Sequence, residues 1–280
     1  MSRSPLRRVR SANDEFQLAL SLLTSRKQRQ RQRRFIVEGV RSIDEAVRAA
    51  WKIDSFWTAE GRPLSAWAVS LLESGVASAH VELPQTLMTQ LSAKDDPSEL
   101  VASVEIPDDD LARIEPRLNA LVVVFDRPVS PGNLGSIIRT CDALGADGLV
   151  VTGHAADLYD PQTVRASMGS LFALPVVRAE SSSQVLEWVD ALRPHHPGLR
   201  VVGSSAHATT ALPQHDFTRP TVIVLGNETK GLSWAWKQAC DAVVLIPMAG
   251  SADSLNVAAA AAVLLYEVER QRGQSATRRA

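Results

Sequence analysis

Three short segments in the second half of the chain gather the residue types that could do chemistry. They are SPGNLGSIIRT, with Asn133, Gly135 and Arg139; VLGNETKGLS, with Gly226, Asn227, Glu228 and Gly231; and IPMAGSADSLNVAAAAAVLLYE, with Ile246, Pro247, Ser254, Leu255 and Asn256. Each follows an apolar run, so each sits where a buried strand hands over to a loop or helix. In α/β folds, ligands bind at the carboxyl ends of strands. Arg139 offers a planar, permanently charged fork that can grip a phosphate or stabilise a developing oxyanion. The alternative is an exposed helix arginine paired with Asp142. Asn133 reads equally as a helix N-cap, Ser254 as a cap for the last helix, Asn256 as a buried, satisfied amide and Glu228 as a solvated loop acid. His154 and His207 fall in loops near strand ends, where lone histidines are common.

The elements that must hold these segments follow from periodicity. Nearly continuous apolar runs recur at 120–126, 148–153, 174–178, 199–204, 221–227 and 242–248. Alternating with helical segments, they predict a parallel sheet buried on both faces. The helix after the first segment carries Leu134, Ile137, Ile138, Cys141 and Leu144 on one face, with Arg139 on another. The last helix, 255–271, is alanine-rich on several sides, which allows close approach to a second backbone. A smaller α/β alternation precedes this: helix 14–25, strand 35–39, helix 41–51, strand 52–59, helix 63–75, strand 79–83, helix 84–93 and strand 99–106. Residues 1–12 read as disordered. The expected organisation is a basic N-terminal domain at 1–106, a polar two-proline linker at 107–119 and a catalytic domain at 120–280.

The net charge of −1 conceals an asymmetry. Residues 1–41 hold eleven Lys/Arg and three acids, and the remainder is net acidic. Six cations, Arg26, Lys27, Arg29, Arg31, Arg33 and Arg34, lie within SRKQRQRQRR, directly before the apolar FIVEG. Such a segment is the footprint of a polyanion partner or a solvated tail, and its junction with an apolar run favours docking on a folded domain. Cys141 and Cys240 have no metal spacing and form no disulfide framework. The longest apolar run is too short to span a membrane, and the basic N-terminus lacks a signal peptide's apolar stretch. A cytoplasmic protein without a metal is expected.

A Rossmann domain would need G-x-G-x-x-G after the first strand of the large sheet, and the turn there reads DRPVSPGNLGS. That argues against a nicotinamide-dependent oxidoreductase. The three segments, in this order and spacing, resemble the SpoU (TrmH) family of RNA ribose 2′-O-methyltransferases. Within it the chain is similar to the avilamycin-resistance and thiostrepton-resistance 23S ribosomal RNA enzymes, nearer the first through SPGNLGSIIR, HAADLYDP and IPMAGSADSLN. It departs at KDDPSELVASV (94–104), where many relatives carry a Gln-Gly pair; that departure bears on domain placement, not chemistry.

The resemblance implies a C-terminal α/β trefoil knot (the SPOUT fold) behind a small ribosomal-protein-like α/β domain, a homodimer and bound S-adenosylmethionine. The implied cofactor residues are Gly203, Leu225, Gly226, Asn227, Ile246, Met248, Ser254 and Leu255, with glycine at 226 letting adenine or ribose approach the backbone. The implied catalytic group is Arg139, Asn133, Glu228, Ser254 and Asn256. Asn133 orients the arginine or binds RNA, and Arg139 meets RNA together with the N-terminal cations. The family's proposed role for this arginine is general base; a guanidinium is protonated at any accessible pH, so stabilising the alkoxide and gripping a phosphate is physically easier. Ribosomal RNA methylation implies antibiotic resistance as a consequence. A tRNA-modifying relative and a non-catalytic RNA-binding protein are the competing readings.

Overall fold

A computed structural model describes the backbone of residues 4–92 and 97–277, with side chains to residue 273. The chain divides into two compact units: residues 1–108 with 157–173, and residues 109–156 with 174–280.

The first unit begins with β1 (Leu6–Arg8), α1 (Asp14–Thr24), α2 (Arg26–Gln32), β2 (Arg34–Glu38) and α3 (Val40–Arg48). It continues with β3 (Ile53–Ala59), α4 (Ala66–Ser74), β4 (Ala77–Leu83), α5 (Gln85–Leu91) and β5 (Leu100–Glu105). The sheet order is β1-β4-β3-β5-β2, with β1, β4 and β3 parallel and β5 antiparallel to both neighbours. Asn13 and Ser25 cap α1 and α2 through their side chains, and Gly75 ends α4 in the left-handed conformation. Phe16, Ala19 and Leu22 of α1 pack with Met88 and Leu91 of α5 on Ile36, Trp57, Val81 and Val101 of the sheet.

The N-terminal stretch departs from the expected disorder. Residues 6–8 add a strand to β4, Val9 is buried, and Arg7 and Arg8 pair with Glu15 and Glu82. A short ladder with one apolar anchor holds a segment that composition alone reads as solvated. In KDDPSELVASV, residues 94–96 lie outside the described ones, and 100–104 belong to β5.

The second unit opens with β6 (Leu121–Asp126), α6 (Pro131–Ala143) and β7 (Gly148–Thr152). The chain then returns to the first unit for α7 (Pro161–Ser167) and α8 (Ser170–Ala173). Tyr159 and Phe172 pack their rings on Phe35 of β2 there. After this come β8 (Val176–Ala179), α9 (Ser182–Leu192), β9 (Arg200–Ser204), β10 (Thr210–Ala211), β11 (Thr221–Leu225), α10 (Trp234–Ala239), β12 (Ala242–Leu245) and α11 (Val257–Thr277). The seven strands run β10-β12-β9-β11-β6-β7-β8, every pair parallel, as the apolar runs require. Trp236 of α10 and Val185 and Val189 of α9 share a core with Val122, Val124, Val201 and Val222, while α11 packs against α6.

The expected linker is no free tether. Leu111 and Ile114 are buried in this unit's core, and Asp109 holds Arg178 through two hydrogen bonds to its guanidinium. Arg272 of α11 donates to the carbonyls of Asn119, Ala120, Phe217 and Arg219, fixing the helix across the entries of β6 and β11. Its burial lowers its pKa from the ordinary value. Among the described residues, no helix is long and apolar enough to cross a membrane.

Candidate active site

The loops after β9, β11 and β12 converge at the carboxyl ends of their strands and line one cleft of about 300 Å³. Leu225, Gly226, Asn227 and Glu228 come from the second segment, and Ile246, Met248, Ser254 and Leu255 from the third. Gly203 lies one residue behind the lining Ser204; a Cβ there would meet Leu232 Cδ1 at 2.8 Å and Cys240 Sγ at 2.9 Å. Burial pushes the Cys240 thiol up to about 11, which keeps it an uncharged packing group. Met248 and Leu255 are 39% and 38% exposed, apolar surface that an occupant of the cleft would cover.

The second segment forms a tight loop. Asn227 and Gly231 exchange backbone hydrogen bonds at 3.0 and 2.9 Å. Asn227 Oδ1 accepts from the N–H groups of Thr229 and Lys230, and its Nδ2 donates to the Arg127 carbonyl at 2.7 Å. The reason for glycine at 226 differs from the one expected. A Cβ there would lie 2.3 Å from Gly231 C and 2.4 Å from Leu232 N, so the loop's own backbone fills the space. Glycine serves this closure, not the approach of a ligand.

Glu228 ties the segments together. Its carboxylate accepts from the N–H of Val129 at 3.0 Å and of Ser130 at 3.0 Å, and from Asn133 Nδ2 at 3.4 Å. It therefore sits at the positive N-terminus of α6, where an anion is favoured. Asn133 Oδ1 in turn accepts from Asn256 Nδ2 at 3.1 Å. Asn133 is not the cap of α6: the cap is Ser130, whose side chain accepts from the Asn133 N–H. Nor is Asn256 buried; it lies exposed ahead of α11, with its Oδ1 accepting from Ala258 N–H.

Arg139 stands six residues beyond Asn133, about 9 Å along the helix axis at 1.5 Å per residue. It is exposed and is not part of the cleft lining. One chain thus brings Asn133, Glu228 and Asn256 together and leaves Arg139 apart.

The N-terminal cations separate into two kinds. Arg29 is only 2% exposed; its Nε donates to Asp157 at 2.8 Å, its Nη2 to Asp160, and its Nη1 to the carbonyls of Leu22 and Leu23. Its expected role as an RNA contact is corrected: the guanidinium is spent internally, holding α1, α2 and the 157–160 turn. Lys27, Arg31 and Arg33 are exposed, while Arg26 and Arg34 are half-buried. Arg33 pairs with Asp108 and Arg34 with Asp54.

Two residues missing from the sequence reading organise the site. Asp126, buried at the end of β6, accepts from Thr152 Oγ1, from the Arg127 guanidinium and from the N–H of Ser233 ahead of α10. Arg127 takes a left-handed backbone at φ 52° and also reaches the Gly231 carbonyl. The available signal was a lone acid closing an otherwise apolar run. The cleft is also lined by His207, Lys230, Lys237 and Asp253; His154 does not line it.

Residues 120–266 match the SpoU rRNA Methylase family, and residues 13–102 match the SpoU L30e-like domain. The chain is 49% identical over 274 residues to a 23S rRNA (uridine(2479)-2′-O)-methyltransferase of Streptomyces viridochromogenes, covering 97% of this chain and 95% of that protein. Among solved structures, it is similar to the SpoU methyltransferase AviRb from Streptomyces viridochromogenes in complex with AdoMet. The TM-score is 0.89 at 49% identity, over 93% of this chain and 98% of that one. An AdoMet-bound rRNA methyltransferase from Sinorhizobium meliloti gives a TM-score of 0.82 at 31% identity, over 95% and 98%.

Proposed function

The chain belongs to the SpoU rRNA methylase family, and on that premise we propose that it transfers a methyl group from S-adenosylmethionine to a ribose 2′-hydroxyl of 23S ribosomal RNA. The observation that carries the reading is one cleft lined both by Leu225, Gly226, Asn227 and Glu228 and by Ile246, Met248, Ser254 and Leu255. Its chemistry fits the cofactor. Leu225, Ile246, Met248 and Leu255 offer apolar walls for an adenine, and the loop backbones between them offer groups to read its edge. When bound, S-adenosylmethionine supplies an already activated methyl group. The protein's work is then to position a hydroxyl, keep water out and manage one proton.

Arg139 is the residue proposed to meet the 2′-hydroxyl side, stabilising the developing alkoxide and gripping an adjacent phosphate. Since Arg139 does not line its own chain's cleft, the reading calls for a two-fold homodimer in which the partner's α6 approaches that cleft. Exposed Val263 and Tyr266 on α11 supply apolar surface for such an interface. The loops at 226–232 and 246–256 are proposed to form a trefoil knot. The first unit, with Lys27, Arg31 and Arg33 exposed, is proposed to hold the RNA.

The biological consequence we propose is protection of the ribosome, in the cytoplasm, from an orthosomycin of the avilamycin type. A 2′-O-methyl removes a hydrogen-bond donor and adds bulk where such a drug binds. The test is methyl transfer from labelled S-adenosylmethionine to 23S ribosomal RNA and to tRNA, with the modified ribose mapped. Labelling of 23S ribosomal RNA alone supports the reading. Labelling of tRNA alone assigns the enzyme to the tRNA branch, and RNA binding without labelling leaves a non-catalytic RNA-binding protein.

A further inference from the structure

The first unit contains a hollow of about 200 Å³ between α1 and its sheet, remote in sequence from every segment of the proposed methyl-transfer site. Its floor follows from strand register. Ser55 of β3 pairs with Ala79 of β4 on one side and with Ser103 of β5 on the other. Three small side chains thus share one level of the sheet, under Leu18, Ala19 and Leu22 of α1. At the next level Trp57, Val81 and Val101 fill the core.

The rim is charged on both sides. Arg7 pairs with Glu15 at 3.2 Å and Arg34 with Asp54 at 2.9 Å, and all four side chains remain at least one-fifth exposed. Inside, Trp57 Nε1 donates to Ser55 Oγ at 2.9 Å, and Ser55 Oγ donates to Asp54 Oδ2 at 3.0 Å. Ser103 is different. It is only 3% exposed, lines the hollow, and its hydroxyl makes no hydrogen bond among the described residues. Its hydroxyl is not sealed in the core but open to the hollow, where it can donate to or accept from an occupant.

We infer that this hollow is a recognition pocket for one unpaired nucleobase of the RNA substrate, with Ser103, Ser55 and the Arg34–Asp54 pair reading its edge. The inference rests on the proposed RNA methyltransferase function. The hollow is smaller than the roughly 300–1,000 Å³ of drug-sized ligand sites, so it suits a single ring system rather than a whole nucleotide. It presents both donors and acceptors, which matches the mixed edge of a base better than a simple anion. Arg34 on its rim lies two residues past α2, whose exposed Lys27 and Arg31 can carry the adjoining phosphates. Single-stranded RNA is read in this way, by splaying a base into a pocket while the backbone stays on cations.

The probe is each of the four nucleoside 5′-monophosphates, titrated while the Trp57 indole N–H resonance is followed; Trp57→Phe assigns that signal. At least one nucleotide should shift it, and Ser103→Leu, which fills the hollow, should abolish the shift. The same variant should raise KM for 23S ribosomal RNA by about tenfold to a hundredfold, the worth of one base contact, with the effect on KM rather than kcat. Ser103→Ala removes only the hydroxyl and adds no bulk, so it carries the test if the leucine variant does not fold. The inference is overturned if no nucleotide shifts the signal and Ser103→Ala leaves KM for RNA unchanged. It is also overturned if inorganic phosphate alone reproduces the shift. Absence of methyl transfer by the wild-type protein would refute the functional reading instead, and the titration would still decide the pocket.

Discussion

The side-chain amide of Asn133 donates to the Glu228 carboxylate at 3.4 Å, joining two segments 95 residues apart, and accepts from Asn256, 123 residues away, on its other side. One short amide thus links all three segments that carry the site. Glu228 also takes the N–H groups of Val129 and Ser130, so the same carboxylate sets the entry of α6. Glu228→Ala should therefore cost about 1–2 kcal/mol of stability through the unmade bonds at this helix end. Glu228→Gln, which retains one acceptor oxygen, should cost less. Chemical denaturation of the two variants side by side checks the order.

Gly226→Ala forces a Cβ into backbone that cannot rotate away, and overpacking of that kind costs ~1–3 kcal/mol or more. Stability and S-adenosylmethionine affinity should fall together. Met248→Ala, at a half-exposed cleft wall, should lower affinity while leaving the melting temperature near wild type. Paired calorimetry and thermal melts distinguish the two, and intact stability in Gly226→Ala would refute the steric account.

Arg139→Ala should remove methyl transfer without moving the melting temperature, because the side chain is exposed and orphans no partner among the described residues. Cofactor affinity should stay within about twofold. Arg139→Lys should also be poor, since an ammonium lacks the planar fork. Wild-type turnover in the alanine variant would end the proposed role.

The two kinds of N-terminal cation should behave oppositely. Arg29→Ala leaves Asp157 buried without its counter-charge and should cost about 3–5 kcal/mol. Lys27→Ala and Arg31→Ala should leave stability unchanged and weaken RNA binding. Each should reduce the slope of log affinity against log salt by about one if it meets a phosphate. Deleting residues 1–34 merges the two effects, because it also removes β1 and α1 from the first unit's core.

Burial holds the imidazole of His80 below its ordinary value of 6.5, with Glu82 opposing, and burial does the same at His215. The unfolded chain then takes up protons first as pH falls below about 6.5. Stability from these groups is complete above that pH and is lost as pH falls toward the folded-state values. Melting temperature should decline on acidification through this window, and His80→Gln should flatten part of the decline. A melting temperature that rises on acidification through that window would contradict the assignment.

The sequence by itself determined the elements and most of the cleft. The six apolar runs became parallel strands of one sheet, and the loops after three of them met in one cleft, because strand burial and glycine-marked loop closure are local consequences of residue type. What the tertiary structure decided depends on which distant groups meet. Arg29 belongs by composition to an RNA-facing basic run, yet Asp157, 128 residues away, turns it inward. Asp126 looks like the last residue of a strand until Thr152, Arg127 and Ser233 converge on it. Residues 157–173 follow a strand of the second unit but pack with the first, because Tyr159 and Phe172 find Phe35 there. Burial and charge pairing of this kind are settled by three-dimensional partners, and no local periodicity records them.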